Sequence, residues 1–214
     1  MNEYLKNDVV CSLKTDVVFG GLSNMSDEYP VRINGTRVRS SEHLYQALKF
    51  PDHPSIQLEI LDMPCPIRAK CIAKRKVNKS KMRADWETIK LDVMDYCLRA
   101  KLIAHWVRFG DLLRSTGHKD IVEISTKKDT FWGVAEEGTG FRGDNYLGRL
   151  LTTLRNQFLH RGNEPLRILV PPPGLGLKLN GSELDIIDRR HHLCQVGTRS
   201  TAKVEKIRPI ILSQ

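Results

Sequence analysis

Long apolar runs are missing from this chain of 214 residues: 40% of them are hydrophobic, but no stretch nears the roughly 20 consecutive apolar positions that a membrane-crossing helix needs. A spanning protein is excluded on that ground. Aromatics are sparse at 7% and cysteines number five. An odd count with no C-x-x-C pair suggests neither a disulfide framework nor a zinc cage. Cys11, Cys65, Cys71, Cys97 and Cys194 read as reduced, mostly buried thiols. The histidines show no H-E-x-x-H or other ligand spacing, so neither a metal nor any other cofactor is expected. Residues 1–8 carry acids where a secretory leader has a basic and then an apolar stretch. The expected location is the cytoplasm.

Charge is what the chain has in excess. Lys plus Arg total 34 against 25 Asp plus Glu, a formal net charge of +9. Such a surplus suits a polyanionic partner, but net charge alone leaves a basic housekeeping domain equally open. Its distribution is more telling: Arg68, Lys70, Lys74, Arg75, Lys76, Lys79, Lys81 and Arg83 form a run of eight cations without an acid between Cys65 and Ala84. That local density fits contact with a nucleic-acid backbone, with Lys74, Arg75, Lys76, Lys79 and Lys81 as the binding positions.

Periodicity supplies the organisation. Residues 31–38 alternate around Asn34-Gly35, which predicts a small β-hairpin. Ser40 or Ser41 can cap a helix that Pro51 ends. Apolar positions Trp86, Ile89, Val93, Met94, Cys97, Leu98 and Leu102 predict the longest helix, from Asp85 to about Trp106. Another runs from about Asn145 to His160, with Asp144 or Asn145 available as its cap, and shorter helices fit 55–62, 66–76 and 109–115. Beyond Gly162 the texture changes to a strand at 166–170, a proline stop, and a second Asn-Gly hairpin over 177–184. Residues 189–208 hold six Lys/Arg and one acid, Glu205. The expected architecture is α+β and predominantly helical: a core over 1–162 with small hairpins, and a β-rich extension with a basic tail over 163–214 packed on the same domain.

Two constellations can carry chemistry. On the helix after Ser40, positions 42, 45, 46 and 49 share one side, so Glu42, Tyr45, Gln46 and Lys49 converge. The alternative is a solvated face with an acid in its first turn, where the helix dipole favours it. The second constellation is Phe131-Trp132-Gly133 followed by a glycine run from Gly138 to Gly143 before a helix start. Although Gly138, Gly140 and Gly143 spell G-x-G-x-x-G, the dinucleotide fingerprint requires a buried strand before it, and Val134-Ala135-Glu136-Glu137 is a poor one. A flexible glycine loop, with or without a ligand, is the expectation there. Trp86, directly after the cationic run, can stack on a base or belong to the core.

In order along about 19–160 stand Gly21-Leu22-Ser23-Asn24-Met25, Ser41-Glu42-His43 with Gln46 and Lys49-Phe50, Arg83 with Asp85-Trp86, Leu98-Arg99-Ala100-Lys101-Leu102, Leu112-Leu113 with Thr116-Gly117, Ile121-Val122-Glu123, Asp129 with Phe131-Trp132-Gly133, and Asn145 with Leu147-Gly148 and Leu150-Leu151. In these pieces the chain resembles the NADAR (YbiA-like) superfamily of N-glycosidases acting on ribose-phosphate compounds. The cationic run into Arg83-Ala84-Asp85-Trp86 is most similar to the NADAR antitoxins, which remove ADP-ribose from guanine bases in DNA modified by an ADP-ribosyltransferase toxin. The resemblance thus implies ADP-ribosylated DNA as substrate, ADP-ribose as product, a cognate toxin as a further partner, and no membrane. A second branch hydrolyses phosphorylated riboflavin-pathway intermediates, and a third reading is a binding module that recognises ADP-ribose without cleaving it.

Breaking an N-glycosidic bond builds positive charge on the ribose and requires protonation of the departing nitrogen, work suited to Glu42. When the base is attached through an exocyclic amine, a desolvated Lys49 amine can capture the ring-opened carbon as a Schiff base. Asp129 is the third expected catalytic group. The resemblance also implies substrate contacts: Ser23 and Asn24 to ribose or phosphate, Trp86 and Trp132 stacking, and Gly140, Gly143 and Asn145 offering amides to a pyrophosphate. It adds Phe19, Gln46, Arg83, Gly133 and Gly148 to the substrate-binding set.

Overall fold

The structure, a computed structural model, describes residues 1–13, 18–125, 130–160 and 166–190. In chain order the elements are β1 (Asn2–Leu5), β2 (Val9–Ser12), β3 (Val31–Ile33), β4 (Thr36–Val38), α1 (Ser41–Ala47), α2 (Pro54–Asp62), α3 (Pro66–Lys74), α4 (Lys76–Lys79), α5 (Trp86–Ala104) and α6 (Trp106–Ser115). There follow β5 (Asp120–Glu123), β6 (Ala135–Glu137), β7 (Gly140–Gly143), α7 (Tyr146–His160), β8 (Ile168–Leu169), β9 (Lys178–Leu179), β10 (Ser182–Glu183) and β11 (Ile187–Asp188). The fold is α+β, with short strands arranged around a helical core.

Both Asn-Gly turns form as their chemistry dictates. Asn34 and Gly35 sit at φ 49° and 71°, Asn180 and Gly181 at 54° and 82°. Two successive left-handed residues give the type I′ twist that suits tight hairpins. They join β3 to β4 and β9 to β10. β2 and β5 pair in parallel, setting Ser12 opposite Glu123.

The centre is α5, whose Val93, Met94, Cys97, Leu98 and Leu102 are buried and whose sides receive α1 and α7. This helix stops at Ala104, two residues short of the periodic pattern. His105 leaves helical geometry, and its Nε2–H donates to Pro30 O at 2.7 Å, so α6 begins at Trp106 instead of 109.

Several expectations are corrected. The glycine run is not a flexible loop: Gly140–Gly143 is the middle strand of a β1-β7-β6 sheet, all antiparallel. Among the cysteines of the described residues only Cys97 is buried, Cys11 and Cys65 are half-buried, and Cys71 is exposed because Ala69, Ile72 and Ala73 take the inner face of α3. Cys194 lies outside the described residues. Asn145, at φ 53°, turns its side chain toward β5 and not onto the start of α7.

The C-terminal extension is stitched into the same core: Leu166, Leu169, Leu177, Leu179, Leu184 and Ile187 are buried in the cluster that contains α5. Its basic tail beyond Arg190 lies outside the described residues. Among the described residues no helix is long and apolar enough to cross a membrane.

Candidate active site

α1 begins where Ser40 caps it, with Ser40 Oγ accepting from His43 N at 3.4 Å. Every residue of α1 is buried, so the solvated-face alternative fails. Glu42 is 2% exposed, and both of its buried side-chain oxygens have donors. Asn24 Nδ2 donates to Oε2 at 2.6 Å and Gln46 Nε2 to Oε1 at 2.7 Å. The Glu42 amide also donates to Asn24 O at 3.0 Å. Asn24 thus grips Glu42 by backbone and side chain, and Gln46 grips it from one helical turn on.

Beneath this grip lies a polar floor. Lys101, from the last turn of α5, donates from Nζ to Gly21 O at 2.5 Å and Ser23 O at 3.1 Å. Ser23 Oγ donates to Glu123 Oε1 at 3.2 Å and accepts from Met25 N at 3.3 Å. The segment carrying Asn24 is therefore held from α5 on one side and β5 on the other. Burial lowers the Lys101 amine to about 7 against the pull of Glu123 and Glu28. Burial likewise raises the Glu123 carboxyl to about 7, opposed by the Ser12 and Ser23 hydroxyls and Lys101. Asn145 fixes the backbone here: Glu123 N donates to its Oδ1 at 3.1 Å, and its Nδ2 donates to Ile121 O at 2.9 Å.

Lys49 occupies an aromatic wall. Its Nζ lies 5.2 Å from the Tyr45 ring centroid and 5.1 Å from that of Trp86. Tyr45 meets Trp86 and Trp132 edge to face at 4.9 and 5.6 Å, and Phe131 continues the wall beyond Trp132. Burial lowers the Lys49 amine to about 8; Glu42 and Glu87 pull it up, Lys70 and Lys74 push it further down. A lysine in such surroundings holds a usable lone pair near neutral pH. Trp86 is 3% exposed, so it is a wall of the core and not an open stacking platform; Trp132 keeps partial exposure.

The structure therefore brings together Glu42, Lys49, Gln46, Ser23, Asn24 and Trp132, with Phe19 packed against the same core. Asp129 lies outside the described residues. The pyrophosphate role expected of the α7 start is corrected: the amides of Asp144, Asn145, Tyr146 and Leu147 already donate to the carbonyls of Thr130, Gly133, Phe131 and Trp132. Gly133, Gly140, Gly143 and Gly148 serve close backbone approach, since a Cβ on them meets the carbonyl oxygens of Glu123, Tyr4, Gly133 and Ile121 respectively. Arg83 is tied by Nε and Nη2 to Asp85 at 2.6 and 2.9 Å and by Nη2 to Leu175 O at 2.7 Å, while its buried Nη1 has no partner. Lys74, Arg75, Lys76, Lys79 and Lys81 are all exposed along α3, α4 and the turn after them. Of the five, Arg75 is paired, with Glu59.

Glu123 and Lys101 carry no functional role in the sequence reading. Lys101 left a signal: it stands three positions after Leu98 and one before Leu102, on the apolar stripe of α5, where an unpaired ammonium is not tolerated. Glu123 left none beyond closing a short apolar run.

Residues 13–159 match the family model of the NADAR domain. The N-glycosidase YbiA of Shigella boydii serotype 4 (strain Sb227) is 34% identical over 154 residues, covering 72% of this chain and 90% of that protein. The riboflavin biosynthesis protein PYRR, chloroplastic, of Zea mays is 34% identical over 166 residues, 72% of this chain and 26% of that one. Among solved structures, the NMR structure of the E. coli protein YbiA is similar with a TM-score of 0.59 at 31% identity, covering 72% of this chain and 86% of that chain.

Proposed function

The chain belongs to the NADAR domain family, and we propose that it is an N-glycosidase that removes ADP-ribose from guanine bases in DNA. The observation that carries the reading is the pairing of an amide-gripped Glu42 on α1 with a desolvated Lys49 in the turn just after it, bordered by exposed cations. Lys70 and Lys74 act on the Lys49 amine electrostatically, so the cationic run borders the reactive group. A polyanionic substrate explains that placement; a small metabolite does not require it. Its biological counterpart in this reading is a DNA ADP-ribosyltransferase toxin whose modification it reverses.

The chemistry follows from the two groups. Opening of the ribose ring leaves an imine between C1 and the base nitrogen. Lys49 Nζ adds to C1, the bond from C1 to the base nitrogen breaks, and the proton shed by Lys49 passes through Glu42 to the departing guanine amine. Water then hydrolyses the lysine imine and returns ADP-ribose and the free amine, with one water consumed overall. Trp132, partly exposed beside Tyr45, is the ring positioned to stack on a substrate base.

The riboflavin-pathway names among the relatives define the second reading, a phosphorylated intermediate of that pathway as substrate. Side-by-side turnover of an oligonucleotide carrying ADP-ribosyl-guanine and of that phosphate decides between them. The DNA reading requires a preference of at least about tenfold in kcat/KM for the oligonucleotide; a faster metabolite overturns it. Affinity without product from either substrate makes the chain a binding module instead.

A further inference from the structure

The family match ends at residue 159, yet residues 166–190 bond to the side chains of Gln57 and Arg83, and those two residues in turn bond to the backbone carbonyls of Ala47 and Lys49. On one side stands Gln57 of α2, fully buried at 0% exposure. Its Nε2 donates to Ala47 O at 3.2 Å, in the last turn of α1, and to Lys178 O at 2.8 Å; its Oε1 accepts from Asn180 N at 2.8 Å. On the other side the Arg83 amide donates to Lys49 O at 3.0 Å, and the Arg83 guanidinium donates to Leu175 O at 2.7 Å.

A clamp outside the site holds this segment in register. Asn34 Nδ2 donates to Glu183 O at 2.9 Å, Leu179 O at 3.3 Å and Ser182 O at 3.4 Å, while Asp185 N donates to Asn34 Oδ1 at 2.8 Å. Asn180 Nδ2 donates to Thr36 Oγ1 at 2.9 Å. The two hairpin turns are interlocked by their asparagines, and the product of that interlock is a fixed Lys178 carbonyl and Asn180 amide for Gln57.

We propose that segment 166–190 is a positioning element for Lys49, acting through Gln57 on the end of α1 and through Arg83 on the Lys49 carbonyl. The side chain of Lys49 lies over the ring faces of Tyr45 and Trp86, which orient an amine less strictly than a hydrogen bond does, so its placement leans on its backbone. A helix end held by a fully satisfied amide is stiffer than one left to fray. The catalytic meaning of this positioning rests on the Schiff-base reading of Lys49; the positioning itself does not.

The test uses the full chain with Gln57→Leu, which removes three hydrogen bonds at similar volume, and Asn34→Gly, which removes the clamp at a left-handed position that glycine accepts. Lysines are reductively ¹³C-methylated and the Lys49 signal is assigned by its absence in Lys49→Arg. Glu42 on α1, Glu87 on α5, and Lys70 and Lys74 on α3 are the charges facing Lys49 and stay intact in both variants. Loosening the end of α1 admits water, so the Lys49 titration moves up by about one pH unit. On the ADP-ribosylated oligonucleotide kcat falls about tenfold with KM nearly unchanged. A lowered Tm with Lys49 titration and kcat both intact shows that the segment only adds stability and overturns the proposal. Should Gln57→Leu not fold, Asn34→Gly alone carries the same two readouts. If Lys49→Met retains activity, the catalytic reading falls while the titration still judges the positioning.

Discussion

Two lysines, Lys101 fully buried and Lys49 half-buried, divide the site into a floor and a wall. Lys101 on the floor gives its protons to the carbonyls of Gly21 and Ser23 and faces Glu123. Lys49 on the wall meets the rings of Tyr45 and Trp86. Burial depresses both amines, yet the surroundings give them opposite work. Ring faces are common to both, since Lys101 Nζ lies 4.7 Å from the Tyr29 centroid and 4.4 Å from that of Phe109; the carbonyls that accept from Lys101 make it a structural tie, and in the proposed chemistry Lys49 is the amine left for a carbon electrophile. On the proposed chemistry, what distinguishes a reactive lysine from a buried brace is whether backbone carbonyls accept from its amine.

The sharpest way to break this contrast is to remove each amine in turn. Lys49→Met lowers kcat by about 10³-fold or more and abolishes the adduct that borohydride traps during turnover. A surviving adduct on another residue erases the distinction. Lys101→Met has the reverse signature: it strands two carbonyls and the Glu123 carboxyl, costing about 3–5 kcal/mol in urea unfolding. If it unfolds no more readily than Lys49→Met, the floor is not a brace.

Acidity sharpens the comparison further. With the Lys49 amine at about 8, kcat/KM rises about tenfold per pH unit below that value and levels above it. The same shift has a consequence for stability. The folded amine is depressed from 10.5 to about 8, so between those values the unfolded chain binds more protons than the native one, and stability rises with pH. Lys49→Met removes that rise, which urea titrations at pH 8 and 10 compare directly. The smallest effect belongs to the rim: each of Lys76→Ala and Lys79→Ala weakens DNA binding a fewfold and lowers the slope of log K against log salt by about one unit.

Much of the wall and little of the floor was legible in the sequence. Helical spacing places Glu42 and Gln46 on one side, and Ser40 caps their helix, because these are local relations; the helix ends at Ala47, short of Pro51, so Lys49 stands in the turn after it. Both Asn-Gly hairpins were readable for the same reason. The grip of Asn24 on Glu42 came only through resemblance, since eighteen residues separate them and no periodicity links them. Glu123 reaches the floor by a parallel pairing of β2 with β5, which no short-range pattern announces. The glycine run misled because its partner strand β1 lies at the far end of the chain, and Trp86 because the burial of a helix's first residue is decided by what covers it.

The asparagine interlock has a bearing on the order of events during synthesis. The bonds from Asn34 to the second hairpin join residues 145 to 151 positions apart. At roughly 5–20 residues per second, the first hairpin leaves the ribosome about 7–30 s before its partner exists. For that interval α1 and the turn after it carry Glu42 and Lys49 without the brace at the helix end. The surroundings of Glu42 and Lys49 are complete only when the second hairpin closes over a turn that has been waiting for it.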